Sequence, residues 1–193
     1  MEKWMESAKG EIMSKLESVC ASLEEKLVKS VQKLEEKVGE LEEKNSSLRS
    51  RMETLERYER GDCLEIHNVP KTDNENTEEL VLGIADAMGM EITSADISTT
   101  YRLPVKKEKL NTAIPRIYVK FTKRSTKRQM YGNRIKQKVT HDQLGLSSTG
   151  KVYIHEHLTK SQNDLFFPAK DKTREASFKF IWTQDQRIYV RDN

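Results

Sequence analysis

From Leu16 to Leu55 apolar residues recur in threes and fours, a pattern that a lone helix cannot bury but a bundle of parallel helices can. With Val31 at heptad position a, Leu34 falls at d, Val38 at a, Leu41 at d, Asn45 at a, Leu48 at d, Met52 at a and Leu55 at d, with Leu27 as the preceding d. Positions outside this seam carry Glu25, Glu36, Lys37, Glu42 and Glu43, so only a narrow stripe needs covering. That narrowness favours a coiled coil over a single amphipathic helix lying on a neighbouring domain. Upstream, Leu16, Val19, Leu23, Leu27 and Val31 are spaced 3, 4, 4 and 4, more than a heptad allows, and this predicts local unwinding of the supercoil. Asn45 in the seam costs stability but fixes register, because a shifted partner would leave its amide unpaired.

The last turns of this segment are more specific. In Arg51-Met52-Glu53-Thr54-Leu55-Glu56, Arg51 stands at g, Met52 at a, Leu55 at d and Glu56 at e, so Arg51 can reach the Glu56 of a neighbouring helix while its stem covers the seam. This resembles the trimer-specifying coiled-coil motif. A homotrimer is the expected assembly, and a dimer is the alternative.

With 34% charged residues, the 193-residue chain can support one or two small domains beside a solvated rod. Its formal charge of +3 hides a separation: residues 61–100 hold 1 basic and 9 acidic side chains, residues 101–140 hold 13 basic and 1 acidic. Two cysteines, Cys20 and Cys63, argue against a disulfide framework, and a reducing compartment is expected. There is no run of about 20 apolar residues of the kind that spans a membrane, and no apolar leader at the start. A cytoplasmic protein, with possible nuclear residence, is the corresponding expectation.

After a hinge at Arg60-Gly61-Asp62 the period changes to alternation. Cys63 to Pro70 reads as a strand with Leu64 and Ile66 on one face and Glu65 and His67 on the other. Thr77-Glu78-Glu79 opens a helix whose core stripe is Leu80, Ile84, Ala87 and Met88. Ile97 to Leu103 is a second strand, Pro104 to Thr112 a lysine-rich loop, and Ile114 to Phe121 a third strand with Ile117, Val119 and Phe121 inward and Arg116, Tyr118 and Lys120 outward. A basic helix over 124–138 and a strand at 152–156 complete a β-α-β-β-α-β order. The fold class is therefore α+β: coiled coil over 1–60, a second domain over 61–158, and a small helix-plus-hairpin domain over 159–193.

That order resembles the RNA-recognition-motif fold. The first strand is similar to the short ribonucleoprotein motif through Leu64-x-Ile66-x-Asn68-Val69, with Glu65 where an aromatic is usual. The third matches the end of the longer motif through Tyr118-Val119-x-Phe121, with Arg116 in place of the upstream aromatic. Sheet stacking is thus expected to be sparse and binding to rest on charge. The candidate phosphate-tracking residues are Lys106, Lys107 and Lys109 in the loop, Arg116 and Lys120 on the sheet, and Lys123, Arg124, Lys127, Arg128, Arg134, Lys136 and Lys138 in or beside the second helix. Tyr118 is the candidate stacking ring, with the Arg116 guanidinium plane beside it.

Beyond Thr159, a helix cap, come a helix interrupted by Pro168 and a hairpin pairing Phe178 to Trp182 with Arg187 to Arg191. This unit is too small to stand alone and should pack on the domain before it. Lys170, Lys172, Arg174, Lys179, Trp182, Arg187 and Arg191 would line the second wall of a cleft, with Trp182 either a platform or core. The whole order, with Val152 to Thr159 and Phe180-x-Trp182-Thr183 … Arg187 to Arg191, resembles the first-open-reading-frame proteins of LINE-type retrotransposons and the related baculovirus few-polyhedra proteins. The resemblance implies an oligomeric nucleic-acid chaperone that packages RNA, with Arg102, Arg116, Lys120, Lys123 and Arg134 as RNA contacts. Some relatives carry an upstream zinc finger, absent from this sequence.

Catalytic motifs are not found: there is no nucleophile elbow and no phosphate-binding Walker loop, so a non-enzyme is expected, with no cofactor. His155 and His157 could join Cys63 or His67 around a metal, but no compact ligand pattern supports it. The alternative reading is a coiled-coil scaffold for a protein partner, which would have no need of the basic block.

Overall fold

The computed structural model describes residues 2–105, 107, 113–175, 178 and 180–192. They form two compact units, Met1–Met52 and Glu53–Asn193. Helix α1, Glu2–Arg60, supplies the first unit and opens the second. Within the first unit the seam residues Leu27, Val31, Leu34, Val38, Leu41 and Leu48, and also Met52, are exposed along the single chain, and so are Asn45 and Arg51. Outside the seam, i to i+4 pairs such as Lys29 with Glu25 at 2.6 Å solvate the helix; pairs of this kind contribute about 0.3–0.5 kcal/mol each.

The second unit begins inside α1 because the last turns of that helix make long-range bonds. Glu53 accepts from the hydroxyls of Thr159 (2.7 Å) and Ser161 (2.9 Å). The Thr159 bond leads in lowering the Glu53 carboxyl below its usual value, with burial opposing it and the Arg57 and Ser161 bonds adding to it. Arg60 donates to the Leu158 carbonyl at 2.9 Å. The unit therefore starts at Glu53 rather than at the hinge where the sequence period changes. Leu55, the last seam residue, is exposed in this unit, and Glu56 lies 3.7 Å from Arg60 of its own chain.

Four antiparallel strands follow: β1 Cys63–His67, β2 Ile97–Arg102, β3 Ile117–Phe121 and β4 Tyr153–Glu156, in the order β2-β3-β1-β4. Alternation decides which face meets the helices α2, Thr77–Ala87, and α3, Arg124–Asn133. Leu64, Ile66, Ile117, Val119, Phe121 and Ile154 join Val81, Ile84, Ala85, Met88 and Met130 in one buried cluster. Each such side chain contributes roughly 1.5–3 kcal/mol of transfer free energy, which fixes register, since a one-residue slip would turn the set outward. Inward Ile117, Val119 and Phe121 match the sequence reading. The stripe of α2 is centred on Val81, Ile84, Ala85 and Met88, with Leu80 and Ala87 only partly buried. Its cap is Asn76, whose side chain accepts from the Glu78 N–H.

Three elements are shorter than their sequence patterns by more than one residue. β3 starts at Ile117 rather than Ile114, because Pro115 has no N–H for the ladder, and Ile114 is exposed. α3 stops at Asn133 instead of reaching 138, with Gly132 and Asn133 as weak helix formers at its end. β1 ends at His67 because Asn68 turns into the left-handed region (φ 60°).

The C-terminal segment comprises α4, Lys160–Glu175, and the hairpin β5, Phe180–Gln184, with β6, Arg187–Arg191. Thr159 caps α4 as expected: its hydroxyl accepts from the Gln162 N–H (3.2 Å) while Gln162 Oε1 accepts from the Thr159 N–H (2.9 Å). Asp185 and Gln186 form the two-residue turn, both at positive φ (49° and 61°), as a tight hairpin requires. Among the described residues no helix is long and apolar enough to cross a membrane.

Candidate nucleic-acid interface

The basic block is divided by folding into residues held inside and residues left at the surface. Arg102, on β2, belongs to the first group. All three of its nitrogens are engaged: bidentate to Glu75 at 2.7 and 2.8 Å, and to the carbonyls of Val69, Pro70 and Pro115. With its side chain 10% exposed, Arg102 staples the turn after β1 to the sheet and offers nothing to a phosphate. Lys127, on α3, is 1% exposed and paired with the fully buried Glu156 of β4. Lys127 and Glu156 both stand in the wall of the second cleft described below, but the ammonium is committed to that carboxylate, the partner that compensates for its removal from water. Glu156 also accepts from the Gln186 N–H, which ties the hairpin turn to the sheet. Tyr131 adds a second tie, its hydroxyl donating to the Thr183 carbonyl at 2.8 Å.

Beside this joint the surface arginines gather. Arg124 opens α3 and donates to Asp62 at 2.8 Å and to the Tyr58 carbonyl at 3.0 Å, its guanidinium lying over the Tyr58 ring. Gly61 allows that path, since a Cβ there would stand 2.7 Å from the guanidinium. Arg128, one residue beyond Lys127, faces outward and meets Asp185 at 2.8 Å. Arg187 is exposed at the start of β6, and its side chain has no hydrogen-bond or ion-pair partner among the described residues. These three and Arg57 line a cleft of about 300 Å³ with Thr54, Tyr58, Gly61, Asp185 and Gln186. The Asp62 bond dominates in holding Arg124 firmly protonated.

Arg128 and Asp185 also border a second cleft of about 300 Å³, lined by Tyr131, Arg134, Ile135, Trp182 and Thr183. Arg134 lies 3.4 Å from the centre of the Tyr131 ring and donates to the Tyr131 carbonyl. Trp182 is half-buried and stacked on Tyr189 at 5.5 Å, so it is neither pure core nor a free platform. Together the clefts make a basic channel with an aromatic ring along each part. The Arg128–Asp185 pair within it is exposed and individually weak, so an incoming anion can replace that carboxylate, whereas Arg124–Asp62 is part-buried and Lys127–Glu156 is sealed.

The sheet face away from the helices is different. Cross-strand partners set a row of Tyr101, Tyr118, Glu65 and His155, flanked by Arg116 and His67 on one side and Lys120 and Cys63 on the other. Glu65 is 7% exposed, and its oxygens accept from Arg116 (2.6 Å), His157 (2.7 Å) and His67 (3.1 Å). Burial alone would raise its carboxyl, but the two histidines and Arg116 override that and hold it far below the usual range. Arg60 donates to His157 Nε2 at 2.8 Å, so the proton of that ring sits on Nδ1 and is donated to Glu65. Glu65 is thus a satisfied anion rather than a bare charge facing phosphate. The Tyr118 hydroxyl is 3.0 Å from Cys63 Sγ; burial first, and that contact second, raise the phenol. Burial likewise raises the Cys63 thiol.

Of the remaining candidates, Lys107 and Lys123 are exposed, Lys120 lies 3.9 Å from Glu59, and Arg191 sits over Phe180 at 5.0 Å. Lys106, Lys109 and Lys179, and the side chain of Arg174, lie outside the described residues. No group of three metal-ligating side chains is found among the described residues. Sequence reasoning passed over Arg57, Tyr58 and Tyr101. The signal for Tyr58 was its place as an exposed ring (72%) just after the heptads end.

Residues 159–193, which comprise α4 and the hairpin, match the family model of baculovirus FP protein domain 2. No curated protein matches the chain.

Proposed function

We propose that this chain binds single-stranded nucleic acid through the arginine-lined channel, with little regard to sequence, and acts as an oligomeric chaperone or packaging protein. The observation that carries the reading is the gathering of Arg57, Arg124, Arg128 and Arg187 around one cleft beside Tyr58, continued by Arg134 and Trp182. Arginines tracking phosphates supply sequence-independent affinity, and interleaved rings accept unpaired bases. The strand order β2-β3-β1-β4 suits an RNA-recognition-motif-like domain, and the C-terminal match supports kinship with the baculovirus FP proteins and, through the resemblance in part order, LINE-type first-open-reading-frame proteins. The exposed heptad seam ending in Arg51, Met52, Leu55 and Glu56 favours a homotrimer, in which linked weak sites gain apparent affinity.

A second reading, a protein-binding scaffold, draws on exposed Leu165, Phe167, Phe180 and Val190 of the C-terminal segment. Titration of a labelled single-stranded oligonucleotide, with mass by light scattering on the same sample, separates the two. The first reading requires binding at low salt by a species of three chains; absence of binding at low salt would leave the scaffold.

A further inference from the structure

The row of residues across the open sheet face contains two tyrosines with different freedoms. Tyr118 was the expected stacking ring, but it is committed on several sides. Its hydroxyl is held by Cys63 Sγ, the His157 ring meets it edge-on at 5.0 Å, and the Tyr101 ring lies 4.8 Å away at 32°. Tyr101 is its direct cross-strand partner on β2, the outer strand of the sheet, and is 47% exposed. One side of Tyr101 rests on a ring that is itself fixed by hydrogen bonding and packing. Among the described residues no second ring packs against Tyr101.

We propose that Tyr101 is a stacking platform for an unpaired base, with Tyr118 as the support that holds it, so that β2 extends the nucleic-acid site onto the open sheet face. A ring held from behind loses little freedom when a flat ligand lands on it, which is what makes aromatic platforms effective for single strands. The surroundings suit a nucleotide. Arg116, just before β3, and Lys120, on β3, each stand two positions from Tyr118 on either side of it, and provide cationic flanks for the phosphates that accompany a stacked base. The carboxylate next in the row, Glu65, has its oxygens occupied by Arg116, His157 and His67, so it repels an approaching backbone less than a free carboxylate would. The Tyr101 hydroxyl makes no hydrogen bond among the described residues, so the ring is what the side chain offers.

This inference rests on the nucleic-acid reading above, and the test keeps the two apart. The full chain is titrated with a single-stranded oligonucleotide of mixed sequence and, separately, with an abasic oligonucleotide of equal length that keeps every phosphate but has no bases. The parent should bind the base-bearing strand more tightly. Tyr101→Ala should lose about tenfold on the base-bearing strand and nothing on the abasic one, and Tyr101→Phe should behave as the parent, because the ring rather than the hydroxyl stacks. Equal loss on both strands would mean an effect on charge or folding and would overturn the proposal, as would no loss on either. Failure of the parent to bind either strand would overturn the nucleic-acid reading as well.

Discussion

Neighbouring basic residues of α3 meet opposite fates. Lys127 turns inward and is sealed against Glu156 at the joint between sheet and hairpin, whereas Arg128 turns outward into the channel with Arg124 and Arg187. Arg102 and Arg116 repeat the contrast on the sheet, one with every nitrogen bonded inside the fold and the other about half exposed. The difference teaches that a count of basic residues overstates binding capacity. Some of the block builds the platform and only the rest can meet a ligand.

The contrast can be broken most severely at its sealed end. Glu156→Ala would leave Lys127 buried without a counter-charge and free the Gln186 N–H; a loss of about 3–5 kcal/mol is expected in urea unfolding. Replacing both partners with apolar residues, Glu156→Leu with Lys127→Met, should cost far less. If the single change were as mild as the double, the pair would not be the anchor described.

Next in size is Glu65, between the sealed and open groups. Its folded carboxyl is held below the ordinary value of about 4.3, so its contribution is full above about pH 5 and is lost as pH falls through that value toward the folded one. Glu65→Gln should lower stability at pH 7 by about 2 kcal/mol, as expected for losing charge-assisted hydrogen bonds, and the gap should close toward pH 3. A gap independent of pH would show that packing, not charge, accounts for the loss.

The smallest stability effect and the clearest binding effect belong to the open group. Arg128→Gln together with Arg187→Gln should change unfolding free energy by no more than about 0.5 kcal/mol for each site, because both side chains are exposed. The same pair should weaken single-strand binding by about tenfold at low salt, while Lys136→Gln, outside the channel lining, should change it little.

The local parts of this picture could be read from sequence because they depend on near neighbours. Alternation phased Ile117, Val119 and Phe121 inward, the helix stripe included Ile84 and Met88, and Thr159 was recognised as a cap. What could not be read were pairings across long separations. Lys127 and Glu156 are 29 positions apart, Arg102 and Glu75 27, and Glu53 reaches Thr159 across 106. No local pattern distinguishes a lysine that will be sealed from one that will stay wet, and that choice decides which candidates have a charge to offer a ligand. Tyr101 was missed for a related reason, because its value comes from standing opposite Tyr118, which only the strand register reveals.

The central claim is that the outward arginines bind a phosphate backbone, and its most direct test is the salt dependence of binding to a single-stranded oligonucleotide. Plotted as log affinity against log salt concentration, the parent should fall with a slope of about −2 or steeper, roughly −0.7 for each phosphate neutralised by the channel. Arg128→Gln with Arg187→Gln should flatten that slope by about 1.4, two such contacts. A parent slope near zero, or a slope the double substitution leaves unchanged, would contradict the account.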